Sequence, residues 1–238
     1  MFYIFGTIIP GKTKQSMKPS LRFLFTSLFT AFCIFTSLSQ EKTPKQDQRY
    51  IFFLHNKFIE ENDLSAPHPE YGKAEYNEIL ASFRKDNFIV YSEIRKKNTN
   101  AYDYAEKIAK QVNKLLKKGV PPNKITVIGT SKGGYIAQYV STFVANPDMN
   151  FVFIGSFMET DIEQIPDINY CGNILTIYEK SDIYGVSAIK RKKTSKLKIN
   201  HFKEVELNTN LKHGFLYKAL DLWILPCKKW ANGNYDLN

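Results

Sequence analysis

Short apolar runs separated by amphipathic stretches organise most of the chain. Residues 50–54 (YIFFL), 88–91 (FIVY), 125–128 (ITVI), 151–154 (FVFI), 174–178 (ILTIY) and 202–207 (FKEVEL) predict six strands. All but the last are near-continuous apolar runs, the pattern of strands buried on both faces. Between them apolar residues recur at helical spacing: Tyr76, Ile79, Leu80 and Phe83, then Ala105, Ile108, Val112 and Leu115, then Ile136, Val140, Phe143 and Val144. The second of these helices is expected to stop at Gly119, ahead of Pro121-Pro122. Strands and helices in alternation, with no internal repeat, predict one α/β domain over residues 50–238, a mostly parallel six-stranded sheet with helices on both faces. Such a sheet gathers its chemistry at the carboxyl ends of its strands.

Ahead of the domain the pattern changes. Met17, Lys18 and Arg22 form a positive start, an apolar run broken only by Ser and Thr follows, and Ser37-Leu38-Ser39 supplies small residues for cleavage before Gln40. Residues 1–39 are therefore expected to be an N-terminal extension and signal peptide, with translation able to start at Met17, and residues 40–49 a polar tail. Export to a periplasm or the exterior follows from that expectation, and an uncleaved membrane anchor is the alternative. Phe32 puts a bulky ring before Cys33, where lipid attachment favours small residues. The other cysteines, Cys171 and Cys227, allow one disulfide or two separate buried thiols, and no Cys or His spacing suggests a metal site.

Composition narrows the class. With 43% apolar and 14% aromatic residues in 238, the chain is neither disordered nor collagen-like nor a polytopic membrane protein. The net charge of +10 falls to +6 once the four basic residues before residue 40 are set aside. That surplus suits contact with anionic surfaces or substrates and is too small to argue for nucleic acid. Lys190, Arg191, Lys192, Lys193, Lys196 and Lys198 are concentrated in residues 190–198 (KRKKTSKLK). They are expected on an exposed, mobile insertion, with an anionic surface as the partner they would suit.

Chemistry enters after the third strand, where Gly129-Thr130-Ser131-Lys132-Gly133 precedes an apolar helix. A G-x-S-x-G segment between strand and helix places its serine on a tight turn with following N–H groups at a helix N-terminus. A serine hydroxyl is a weak nucleophile without a base, and the base needs an orienting carboxylate. Asp182 follows the fifth strand, with Glu179 a competitor nearer the strand end, and His213 follows the sixth. Of the remaining histidines, His55 is placed to shape the loop after the first strand, His68 is expected in an exposed loop and His201 at a strand edge. Glu60, Glu61 and Asp63 are expected to be solvated loop charges, with a place lining the site as the alternative.

The motif and the order Ser131, Asp182, His213 resemble the α/β-hydrolase superfamily, over about residues 50–230. The resemblance implies Ser131 as nucleophile, His213 as general base and acid, and Asp182 as the residue orienting the imidazole. It also implies an oxyanion hole from the N–H of Lys132 and an N–H of Asn56 or Lys57. Relatives often carry His-Gly in that second loop, whereas this chain has His55-Asn56-Lys57, Asn being able to adopt the left-handed backbone that Gly favours. The implied activity is hydrolysis of a small-molecule ester, with an amide second, through an acyl-enzyme that needs no metal or organic cofactor. Acyl transfer on the same fold and a non-catalytic binding module are the alternatives.

Overall fold

In a computed structural model that describes residues 48–238, β1 (Tyr50–Leu54) is buried at all five positions. The signal segment, Cys33, the cleavage site before Gln40 and the tail as far as Asp47 lie outside the described residues. After β1 come a short α1 (Lys57–Glu61) and a small antiparallel hairpin of β2 (Pro67–His68) and β3 (Gly72–Lys73). Then strands and helices alternate: α2 (Tyr76–Lys85), β4 (Ile89–Tyr91), α3 (Ala101–Lys117), β5 (Ile125–Thr130), α4 (Lys132–Val144), β6 (Asn150–Ile154) and α5 (Asp161–Gln164). The order closes with β7 (Gly172–Glu179), α6 (Ile189–Thr194), β8 (Ile199–Leu207), a 3₁₀ segment (Lys212–Tyr217) and α7 (Asp221–Ala231).

The main sheet has six strands in the order β4-β1-β5-β6-β7-β8, all parallel, so every strand ends at the same edge. Alternate side chains of β1 feed two cores. Ile51 and Phe53 pack with Ile79 and Phe83 of α2 and Trp223 and Trp230 of α7 on one face. Tyr50, Phe52 and Leu54 pack with Ile108 and Val112 of α3 and Ile136 and Val140 of α4 on the other. The sheet is thus covered by helices on both faces. Local chemistry sets the limits of α3, where the Asn100 side chain accepts from the N–H groups of Tyr102 and Asp103 and Gly119 turns the chain at φ 83°.

Several strands run past the apolar runs that signal them. Gly129 and Thr130 pair with Leu54 and Ile154, and Gly172 pairs with Ile199, because the ladder uses backbone groups that any residue brings. Cys171 and Cys227 are both buried free thiols, which settles the choice left open above. No helix among the described residues is long and apolar enough to cross a membrane.

The basic run 190–198 is not a free flap. It builds α6 and the lead into β8, and Arg191 is buried beneath it. The Arg191 guanidinium donates to the carbonyl oxygens of Asp161 (2.5 Å), Ile165 (3.1 Å) and Ile168 (3.2 Å) and lies over the Phe157 ring. Lys192 covers the Phe202 ring at 4.5 Å, and Lys190 meets Glu159 at 2.5 Å. Arg191 is therefore removed from the anionic-surface set: the backbone carbonyls of Asp161, Ile165 and Ile168 hold its guanidinium inside. His68 is likewise no free loop residue, since it is half-buried and stacks on Tyr71 with centroids 4.4 Å apart.

Candidate active site

One residue separates β5 from α4, and it is Ser131, at φ 51° and ψ −121°. A non-glycine residue there stores strain of about 1–3 kcal/mol and keeps it only when its surroundings over-determine it. They do so through glycines. A Cβ on Gly129 would stand 2.1 Å from the Gly133 carbonyl oxygen, and one on Gly134 would stand 2.2 Å from Ser156 Oγ. The Ser131 N–H donates to the Ile154 carbonyl (2.9 Å), while its own carbonyl accepts from the N–H groups of Gly134 (2.7 Å) and Tyr135 (3.2 Å).

Ser131, His213 and Asp182 are brought into one hydrogen-bonded line. His213 Nε2 lies 2.9 Å from Ser131 Oγ, and His213 Nδ1 lies 2.6 Å from Asp182 Oδ2. A carboxylate can only accept, so Nδ1 carries the proton and Nε2 faces the hydroxyl with its lone pair. Asp182 Oδ1 accepts from the Tyr184 N–H (2.9 Å), and the Asp182 N–H donates to the Glu179 carbonyl (2.9 Å). The Asp182 carboxyl is wholly buried and the imidazole nearly so. Gly155, at φ 53°, and Gly185 allow this approach, since a Cβ on Gly185 would meet Gly155 Cα at 2.6 Å. The Tyr184 ring sits edge-on to the imidazole at 5.4 Å.

Glu179, the competing acid, is bonded to Thr209 and Ser181, and it is Asp182 that bonds His213. Glu179 accepts from Thr209 N–H (2.9 Å) and Oγ1 (2.7 Å) and from Ser181 N–H (3.3 Å) and Oγ (3.1 Å), tying the loop after β7 to the loop after β8. Burial pushes its carboxyl up, but the bonds from Thr209 and Ser181 outweigh that and hold it below the usual carboxylate range.

Two helix starts meet at the end of β1. Lys132 opens α4 and Lys57 opens α1, so their N–H groups have no intrahelical acceptor. They are neighbours because Gly133 rests on the end of β1, where an added Cβ would stand 1.9 Å from the Leu54 carbonyl oxygen and 2.6 Å from that of His55. Asn56 is extended, at φ −68° and ψ 174°, and its side chain caps α1 by accepting from the Ile59 N–H (3.2 Å). The left-handed conformation considered for Asn56 is therefore not used; its place here follows from helix capping.

Beneath this loop lies a charge network that the sequence pattern did not reveal. Glu60 is buried, not solvated, and accepts from Lys132 Nζ (2.6 Å), Arg95 Nε (2.8 Å) and the Thr99 N–H (3.0 Å). Arg95 Nη2 donates to the carbonyls of His55 (2.5 Å) and Asn56 (3.2 Å). His55 Nε2 accepts from the Arg95 N–H (3.0 Å), which leaves Nδ1 to donate to the Asn56 carbonyl (2.8 Å). Burial, then the Arg95 charge, pushes the imidazole of His55 down to about 4. Glu60 and Arg95 are 35 residues apart and Glu60 and Lys132 are 72 apart, so no local signal links them. Among the described residues no group of three His, Cys, Asp or Glu side chains is arranged to hold a metal ion.

No protein-family model matches the chain, and no curated protein matches it in sequence. Solved structures do match it in fold. SOBER1 of Arabidopsis thaliana superposes with a TM-score of 0.51 at 12% identity, over 79% of this chain and 99% of that one. The dienelactone hydrolase of Anabaena variabilis superposes with a TM-score of 0.51 at 10% identity, over 79% of this chain and 86% of that one. Together with the parallel sheet, its strand order and the serine turn after β5, these likenesses show that the chain has the α/β-hydrolase fold.

Proposed function

We propose that the protein is an exported serine hydrolase that cleaves an ester, with an amide the second choice of substrate class, through an acyl-enzyme on Ser131. The observation that carries this reading is the position of the His213 imidazole, 2.9 Å from Ser131 Oγ on one side and 2.6 Å from Asp182 on the other. Ser131 Oγ attacks the carbonyl carbon as His213 Nε2 takes the hydroxyl proton. Asp182 holds the tautomer and stabilises the imidazolium. The tetrahedral oxyanion accepts from the Lys132 N–H and from an N–H of Asn56 or Lys57. His213 then gives its proton to the leaving alcohol as the C–O bond breaks, and water, deprotonated by the same nitrogen, releases the acid.

Exposed apolar residues on the two loops that carry Asp182 and His213 favour a substrate with an apolar portion. Ile183, Tyr184 and Leu211 are 75%, 54% and 43% exposed within two residues of those side chains. Hydrolysis of p-nitrophenyl acetate, butyrate and octanoate by the protein, beside Ser131→Ala and His213→Ala, tests the reading. Turnover lost by about 10³-fold or more in both variants is the expected result. Equal rates in wild type and Ser131→Ala would contradict it.

A further inference from the structure

We propose that Glu60 is a positioning residue for the oxyanion hole, holding its two halves in register through Lys132 on one side and Arg95 on the other. The role rests on the hydrolase reading above and extends it to residues that touch neither substrate nor the reacting atoms.

The connection is continuous. Lys132 supplies one proposed oxyanion donor through its backbone, and its side chain turns away to Glu60 Oε1 (2.6 Å) and the Thr99 carbonyl (2.7 Å). Glu60 Oε2 takes Arg95 Nε (2.8 Å), and Arg95 Nη2 grips the carbonyls of His55 and Asn56, whose loop supplies the second donor. One carboxylate thus joins the start of α4, the segment after β4 and the loop after β1. Lys132 is consequently committed to Glu60, and its ammonium is not a charge offered to substrate.

Stability alone does not account for such a cluster. Burying one carboxylate among two cations is costly, and an apolar set of similar volume commonly serves a fold as well or better. What the ion pairs supply and an apolar set does not is directional restraint on two backbone segments at once. An oxyanion hole needs that restraint, because its donors act only when fixed about 3 Å from where the charge develops.

The test uses the full chain with Glu60→Gln, Lys132→Met and the double variant. Steady-state kinetics on p-nitrophenyl butyrate, inhibition by an aryl trifluoromethyl ketone and urea unfolding are measured together. The role predicts kcat lower by about tenfold or more in each single variant with KM within about twofold, since loosened geometry weakens the transition state more than the ground state. Affinity for the ketone, whose adduct carries the oxyanion, falls in the same proportion as kcat. The double variant falls about as far as the worse single one, because both cuts lie on one path. Lys132→Met, whose altered side chain reaches the surface, decides the matter if Glu60→Gln does not fold. A folded Lys132→Met with wild-type kcat and ketone affinity overturns the role while leaving the hydrolase reading intact. A wild type that neither turns over the ester nor binds the ketone overturns both.

Discussion

Gly133 lies against Leu54 so closely that a Cβ built on it would stand 1.9 Å from the Leu54 carbonyl oxygen. Both partners are backbone, one at the end of β1 and the other in the first turn of α4, so neither has a flexible tip that can yield. Gly133→Ala is predicted to cost about 3 kcal/mol or more by forced overpacking and to lower kcat in whatever fraction still folds. Gly119→Ala is the control: φ is 83° but nothing lies within 4 Å of the added Cβ, so a cost nearer 1 kcal/mol is expected. Urea midpoints of the two variants check the difference.

His55 makes the loop after β1 sensitive to acid. Its folded value is pushed down to about 4, first by burial and then by Arg95, against about 6.5 for an unfolded imidazole. Between those values the unfolded chain binds a proton that the folded chain refuses. Stability is therefore full above about pH 6.5 and is lost progressively toward pH 4, by up to about 3 kcal/mol. Urea unfolding at pH 7 and pH 5 is expected to show this slope in the wild type and a shallower one in His55→Gln. Equal slopes would remove His55 as the cause.

Glu179, which ends β7, and Asp182, in the loop that follows, are predicted to separate cleanly. Asp182→Asn leaves the imidazole without a carboxylate to fix its tautomer, and kcat should drop by about 10³- to 10⁴-fold with little change in stability. Glu179→Gln removes a charged brace between two loops, so the unfolding midpoint should fall by the equivalent of about 1–2 kcal/mol while kcat stays within about tenfold. The native Glu179 carboxyl is held low, so its contribution is present above the unfolded carboxylate range and is lost as pH falls through the lowered folded value.

Arg191 and Lys193, two residues apart in one basic run, are predicted to behave differently. Arg191→Ala removes a wholly buried side chain together with its hydrogen bonds to three carbonyls and should cost about 3 kcal/mol or more, whereas Lys193→Ala, on the exposed side, should lie within about 0.5 kcal/mol of the wild type. Thermal and urea unfolding of both variants provide the comparison.

How far the sequence carries the structure depends on how local each signal is. The five residues of β1 are all apolar and appear at their observed limits, and the G-x-S-x-G segment marks the turn that holds Ser131 because glycine spacing is itself the steric requirement. Asp182 and His213 follow from strand order, since parallel strands deliver the residues after them to one edge. The choice of Asp182 over Glu179 as the neighbour of His213 rests on the resemblance to the α/β-hydrolases, and the geometry that separates them involves Thr209, thirty residues on from Glu179. Glu60 and Arg191 were not legible in their burial. Glu60 sits in the polar run EEND beside Glu61, and Arg191 among lysines, so nothing nearby distinguishes the buried charge from the solvated ones. Their partners come from distant segments, and only the folded chain brings those together. The hairpin β2–β3 has no sequence signal, because strands of two residues have no periodicity.

Labelling with a fluorophosphonate, followed by mass spectrometry of the intact protein and its peptides, addresses the reactivity of Ser131 without knowledge of the natural substrate. The geometry at His213 predicts a single adduct on Ser131, absent from Ser131→Ala and formed at least about 10²-fold more slowly by His213→Ala. An unlabelled wild type, or an adduct on a different residue, would contradict a serine hydrolase and leave the α/β-hydrolase fold to a binding role.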